Sequence, residues 1–363
     1  MADISGQSGI TLEMELGMTA DRLTYFDDDR GIYLEDFRVG SASQPGESAA
    51  HVIRVDITDE ASLNLDYLVE DRRIEFGDIR LAGAPGIGMG GIFFDHSLQG
   101  NLRISPGGAF GSSGYTFDTA YTMTGGRLGY RTNGNEVFLD DITLSVEALG
   151  VTLDVVGSTL ELNAPRVSGS YDVGAIRYSN NPANHGNTYD VATGQALPSY
   201  GGLSGSFDLS SKTGITAGGR EGEGFRLDNE TTINSASFIY HDDDHALAFR
   251  EITGQYRLND LRVDVTADRY GRDALGFTLG SLNGKFNIGR IEMGAGGQSI
   301  GEVNVSFMLQ DHVYNGRRYT NAVYLQGGGH PDAGSQGLRL STEWSLQLAD
   351  LSYTEDGNRV IFS

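Results

Sequence analysis

A strand-rich unit recurs four times along this chain with almost no gaps, and that recurrence restricts the possible folds more than any other feature. The first copy runs from Ile10-Thr11-Leu12-Glu13 through Leu23-Thr24-Tyr25-Phe26 to the acidic turn Asp27-Asp28-Asp29 and on to Ile32-Tyr33-Leu34-Glu35-Asp36-Phe37. A shift of 105 places Thr11 on Thr116, Arg22-Leu23 on Arg127-Leu128, Tyr25 on Tyr130 and Asp36 on Asp141. A shift of 215 brings Leu12 onto Leu227, Tyr25 onto Tyr240 and the acidic turn onto Asp242-Asp243-Asp244. A shift of 328 sets Leu340, Leu346, Leu351, Tyr353 and the turn Glu355-Asp356-Gly357 in the same frame. A fixed long period signals supersecondary units that share one continuous core.

Within a unit the apolar residues alternate. Leu12, Met14 and Leu16 fall on one side of a strand, with Glu13 and Glu15 on the other, as a half-buried strand requires. Phe117, Tyr121 and Met123 keep that parity, as do Leu340, Trp344 and Leu346, while Asp118 and Asp228 fall opposite with Glu13. Leu23 and Tyr25 face Ile32 and Leu34 across a tight turn, so a three-strand meander over about residues 10–18, 20–26 and 31–38 is expected in each unit. Segment 59–71 alternates at Leu63, Leu65, Tyr67 and Val69 and reads as a strand, not a helix. Gly-rich joints place unit boundaries near 114, 224 and 337, giving modules 1–114, 115–224 and 225–337 and a partial copy 338–363. Residues 180–199 read as a long inserted loop. The expected fold is all-β: an elongated sandwich or solenoid-like stack of about three and a quarter meander modules, with roughly 20 strands or more.

The formal net charge of −23 argues against a nucleic-acid partner, because phosphate backbones are met with Lys and Arg. No run approaches the roughly 18 apolar residues of a spanning helix. With no cysteine there is no disulfide framework and no thiol nucleophile. Gly-x-Ser-x-Gly elbows in a strand-to-helix setting, His-Glu-x-x-His and phosphate loops are missing too, so no enzymatic activity is expected. The run Gly86-Ile87-Gly88-Met89-Gly90-Gly91 has the dinucleotide glycine spacing, but more strand follows it instead of the helix whose N-terminus would meet a pyrophosphate.

Asp27, Asp28, Asp29, Asp242, Asp243 and Asp244 are the candidate cation ligands, since clustered carboxylates suit Ca²⁺. The same residues also suit a hairpin turn, as does Thr132-Asn133-Gly134-Asn135 at the equivalent place. No cofactor is otherwise expected, Ca²⁺ being the one candidate.

The stretch Asp3-Ile4-Ser5-Gly6-Gln7-Ser8-Gly9-Ile10-Thr11-Leu12-Glu13 resembles the start of the mature region in the FilA-like pilus assembly family of exported gammaproteobacterial proteins, with its Gly-Gln-x-Gly-Ile core at Gly6 to Ile10. The specific match covers about the first 30 to 40 residues. The resemblance implies export past the inner membrane, association with surface fibres and an extracellular or cell-surface location. It implies no catalytic residues, and it makes Met1 the start of a chain trimmed of its signal peptide.

The fourth copy reaches Val360-Ile361-Phe362 before its unit is complete, so an open strand edge is expected there. Ile10, Leu12 and Met14 at one end and Leu340, Trp344, Val360 and Phe362 at the other are the expected assembly surfaces of a homopolymer joined head-to-tail, a structural subunit of a fibre or surface layer. Two alternatives follow from the same pattern. One is a soluble adhesin binding glycans or calcium through loops such as 180–199; the other is an outer-membrane β-barrel, against which the regular acids Glu13, Glu15, Asp118 and Asp228 count.

Overall fold

The structure is a computed structural model and describes the chain apart from residues 1–8, 28–29, 59–61, 84–85, 109–110, 219–223, 269, 295–297, 315–316, 329–336, 356 and 363. The first unit comprises β1 (Ile10–Leu16), β2 (Met18–Asp27), β3 (Arg30–Ser41), β4 (Ala49–Ile57), β5 (Leu63–Phe76), β6 (Asp78–Leu81) and β7 (Gly91–Gly108). The second comprises β8 (Gly111–Thr132), β9 (Asn135–Val156), β10 (Thr159–Ser179) and β11 (Gly202–Ala217). In the third lie β12 (Phe225–Asp242), β13 (His245–Ala267), β14 (Asp273–Met293), β15 (Gln298–Ile300), β16 (Glu302–Gln310), β17 (His312–Tyr314), β18 (Arg317–Tyr319) and β19 (Asn321–Gly327). The last copy supplies β20 (Leu338–Glu343), β21 (Leu346–Glu355) and β22 (Asn358–Phe362). Twenty of these strands form one antiparallel sheet, and β17 pairs with β18 apart from it.

The repeat is a four-strand block of this sheet. In the second unit the four positions are the uninterrupted strands β8, β9, β10 and β11, each paired to the next. The first unit breaks the same strands. β1 and β2 together occupy the position of β8, because β1 pairs with β4 while β2 pairs with β3. The expected meander is corrected here: segments 10–18 and 20–26 are one strand interrupted at Gly17, not two neighbours. A Cβ on Gly17 would meet the Ser48 Oγ at 2.7 Å. Likewise β3 and β4 are one position split by the 42–48 loop, and β5 and β6 one position split at Gly77. In the third unit the 311–320 excursion separates β16 from β19, which pair with successive parts of β14. The predicted boundary at 114 lies inside β8, and those at 224 and 337 immediately precede β12 and β20. The sheet runs through all three.

Counting four positions in each of three units and two in the last, fourteen antiparallel strands lie side by side in chain order. The hydrogen-bonded ladder is open. Among the described residues no rung joins β1 or β2 to β20, β21 or β22. The sheet nevertheless coils far enough for the segment after β6 to meet the far units. Gly337 N donates to Gly88 O at 2.9 Å and Leu338 N to Tyr130 Oη at 3.0 Å. Leu81, Met89 and Val265 form a small buried core there, with Ile32, Ile79 and Leu325 against it.

Two local devices shape the long strands. Hairpin tips are two-residue turns: Thr132 pairs with Asn135 around Asn133 (φ 50°) and Gly134 (φ 74°), the primed turn whose twist matches its strands. Part-way up, Asp36, Asp141 and Glu251 take left-handed backbone (φ 51°, 54° and 56°) at equivalent positions of the three units. Each faces a glycine on the next strand. A Cβ on Gly77, Gly174 or Gly289 would come within 2.8, 3.1 or 3.0 Å of the respective acid's Cβ. These pairs mark a kink line across the sheet where the pleat changes parity, as bulges do.

Candidate functional site

The register separates the sheet's two faces by chemistry. One cross-strand row spans all fourteen positions: Leu12, Ile53, Tyr67, Gly100, Tyr121, Val146, Gly169, Phe207, Ala236, Ile252, Ile288, Val303, Tyr353 and Val360. Every member is apolar, aromatic or glycine. The adjacent row of the opposite face starts Glu13, Val52, Leu68, Gln99, Thr122, Ser145, Ser170, Ser206 and Ser237. Away from the hairpin tips and the kink line, the described rows of the apolar face hold no Asp, Glu or Lys. Glu13, Asp66 and Glu147 lie on the other face, lining a hollow of about 690 Å³ with Arg54, Gln99 and Thr122. Lys285, Asn304, Asp350 and Arg359 line a second hollow of about 790 Å³ on that face. The polar side is therefore the hollow one, and the apolar side is the outer one.

The outer side is left open. Leu128, Val137, Val155, Phe225 and Met293 are exposed on it. The chain exposes 20266 Å², where a compact monomer of this mass exposes about 14,000 Å². The excess goes with a single extended sheet layer, and large exposed apolar patches commonly mark interaction surfaces.

On the hollow face, below the kink line, charges form a lattice. Arg73 of β5 grips Asp95 of β7 through two bonds of 2.6 and 2.7 Å. Arg127 of β8 lies 3.7 Å from Asp95 and 3.3 Å from Asp140 of β9, and Arg177 of β10 reaches Asp140 at 2.7 Å. In the next row Arg131 bridges Glu75 and Glu136, each at 2.5 Å. Four guanidinium groups thus meet four carboxylates. Phe93 and Phe138 lie among them, with Arg131 stacked 4.4 Å from the Phe93 centroid. Gly129 makes room for this: a Cβ there would lie 2.0 Å from the Phe93 ring.

The expected long loop closes over this lattice. Residues 180–201 connect β10 to β11 with a single 3₁₀ turn, Pro182–Asn184. Arg127 donates to Gly186 O at 2.6 Å and Arg177 to Leu197 O at 2.7 Å, while Glu136 accepts from Gly186 N at 2.9 Å. Leu197 completes a buried cluster with Phe93 and Phe138. A buried ion lattice contributes little net stability, but removing one member strands its partners, at about 3–5 kcal/mol. Its effect is to fix the loop across the hollow face. Sequence reasoning missed this lattice because its members are spread from Arg73 to Arg177; the available signal was charge at the hollow-side parity of five strands.

The predicted site residues are dispersed. Asp242, Asp243 and Asp244 stand exposed at the β12–β13 tip, where Asp242 pairs with His245 and Asp243 has φ 49°. Asp27 ends β2, and Asp28 and Asp29 lie outside the described residues. Among the described residues no group of three or more His, Asp or Glu is arranged to hold a metal ion. Ile10, Leu12 and Met14 are exposed on the edge strand β1; Val360 and Phe362 are exposed on β22 at the opposite edge. Leu340 on β20 and Trp344 just beyond it are exposed too. Gly91 opens β7, so the glycine run leads into a strand. No helix of the described residues is long and apolar enough to cross a membrane.

The chain matches no protein-family model, no curated protein and no solved structure. Its functional reading rests on its own geometry.

Proposed function

We propose that this chain is an exported β-sheet of outer-membrane type, its outer face against lipid and its hollow face lining water, with loop 180–201 narrowing the passage. The observation that carries this reading is the segregation of charge, apolar outside and polar inside, over fourteen antiparallel strands. Sheets that span bilayers show that alternation; sheets of water-soluble proteins bury their apolar side. Glu13 and Asp118 do not count against it, since the row of Glu13 is on the hollow face and Asp118 binds Gly150 N at 2.6 Å. The ladder is open at β1, β2 and β22 in this structure, so insertion in lipid requires those edges to be paired, with each other or with other copies. The purified chain should float with phosphatidylcholine vesicles and stay bound through an alkaline carbonate wash. A monodisperse chain that stays behind without detergent would sink the reading.

A second reading is favoured by strand length. A 22-residue strand such as β9 is roughly 70 Å long at about 3.3 Å per residue. Tilted by about 40° it rises roughly 50 Å, twice the ~25 Å apolar band of an outer-membrane barrel. A head-to-tail fibre or surface-layer subunit would instead bury its outer face and its two free edges against other copies. Negative-stain electron microscopy at rising concentration separates the two: filaments without lipid favour the fibre, and dispersed detergent-bound particles favour the membrane sheet.

A further inference from the structure

The outer face carries one group of nitrogen bases without acceptors. His51 of β4, Arg72 of β5 and His96 of β7 fall on it side by side: Arg72 is the cross-strand partner of His96, and His51 pairs with Val69, one bulge away from Arg72. The two histidines are 8% and 7% exposed. His51 Nε2, Arg72 Nε and His96 Nδ1 are each buried with no hydrogen-bond partner in the protein. Burial first, and the Arg72 charge second, lower both imidazoles, His96 to about 4, so both rings are neutral at pH 7. Phe94 stacks on His96 with centroids 4.6 Å apart, fixing the ring.

Nearby carboxylates are already engaged. Asp71 accepts from Ser41 Oγ and Ser43 Oγ, each at 2.5 Å, and Asp95 is held on the other face by Arg73. Among the described residues no carboxylate pairs with Arg72. The Arg72 guanidinium repels cations and donates, and each neutral imidazole can turn one N–H toward the same space, so the complement is an anion with several acceptor oxygens. We propose that His51, Arg72 and His96 form a binding site for a phosphate-type oxyanion, whether free or carried by a lipid headgroup. It does not depend on what covers the rest of the outer face.

The test titrates inorganic phosphate into the purified chain by calorimetry and, separately, measures flotation with phosphatidylcholine vesicles with and without phosphatidylglycerol. Arg72→Gln is compared with wild type, and Arg54→Gln on the hollow face serves as the control. Phosphate binding weakened at least tenfold by Arg72→Gln and unchanged by Arg54→Gln supports a site for the free anion. A phosphatidylglycerol-dependent flotation lost only in Arg72→Gln supports the headgroup. Arg72→Lys, which keeps the charge, should retain part of either response, and circular dichroism checks that each variant is folded. Indistinguishable titrations and flotation for folded wild type and Arg72→Gln would overturn the site.

Discussion

Asp268 shows how a single side chain shapes a strand connection. Burial alone would push its carboxyl up, but the Arg272 guanidinium and the N–H groups of Arg272 and Tyr270 outweigh that and hold it at about 2. Since the folded state lowers this pKa, the contribution to stability is fully present above about pH 4 and is lost as pH falls toward 2. Asp268→Asn should therefore cost on the order of 2 kcal/mol at pH 7 and almost nothing near pH 2, read from urea midpoints at both. Glu136→Gln tests the charged lattice. It weakens the contact to Arg131 and the acceptor for Gly186 N, so loop 180–201 should become open to limited proteolysis, with stability falling by about 3 kcal/mol. An unchanged digestion pattern would show that Arg127, Arg177 and Leu197 hold the loop without the Glu136 carboxylate. Neither arrangement was legible in the sequence: Asp268 and Arg272 look like ordinary loop charges, and the lattice joins residues that meet only across five paired strands.

Among the strands, the kink line is the recurring device. Asp36 and Asp141 were already aligned by the shift of 105, so the repeat was legible there, and the shift of 215 carries the same position onto Glu251. Their backbone was not, because a left-handed acid inside a strand is uncommon and no local pattern announces it. Asp141→Gly should leave stability within about 1 kcal/mol of wild type, since glycine adopts that φ freely. Asp141→Val should cost roughly 2 kcal/mol or more, because a β-branched residue resists it. Thermal melts of the two variants decide this, and equal losses would mean that the aspartate side chain, not the backbone, matters. The meander was read correctly at the β2–β3 turn, where pattern and turn chemistry agree, and wrongly at Gly17, where a break within a strand looks like a turn between two.

For the whole molecule, the outer face decides the environment. Val146 lies on β9 within the apolar row, and Ser145 lies beside it on the hollow face. Val146→Arg should weaken vesicle flotation by about 2–4 kcal/mol, a loss of at least tenfold, while Ser145→Arg leaves it unchanged. Equal behaviour of the two would show that the face is not in lipid. The exposed area is in keeping with that proposal, since large exposed apolar patches commonly mark interaction surfaces.

By itself the sequence determined the strand-rich class, the four-fold recurrence and the two-sided alternation, because these are local properties of period and turn chemistry. Tertiary structure alone decided which side is hollow, where each strand breaks, and that His51, Arg72 and His96 meet, because the curl of a sheet and its register depend on pairings between residues tens of positions apart.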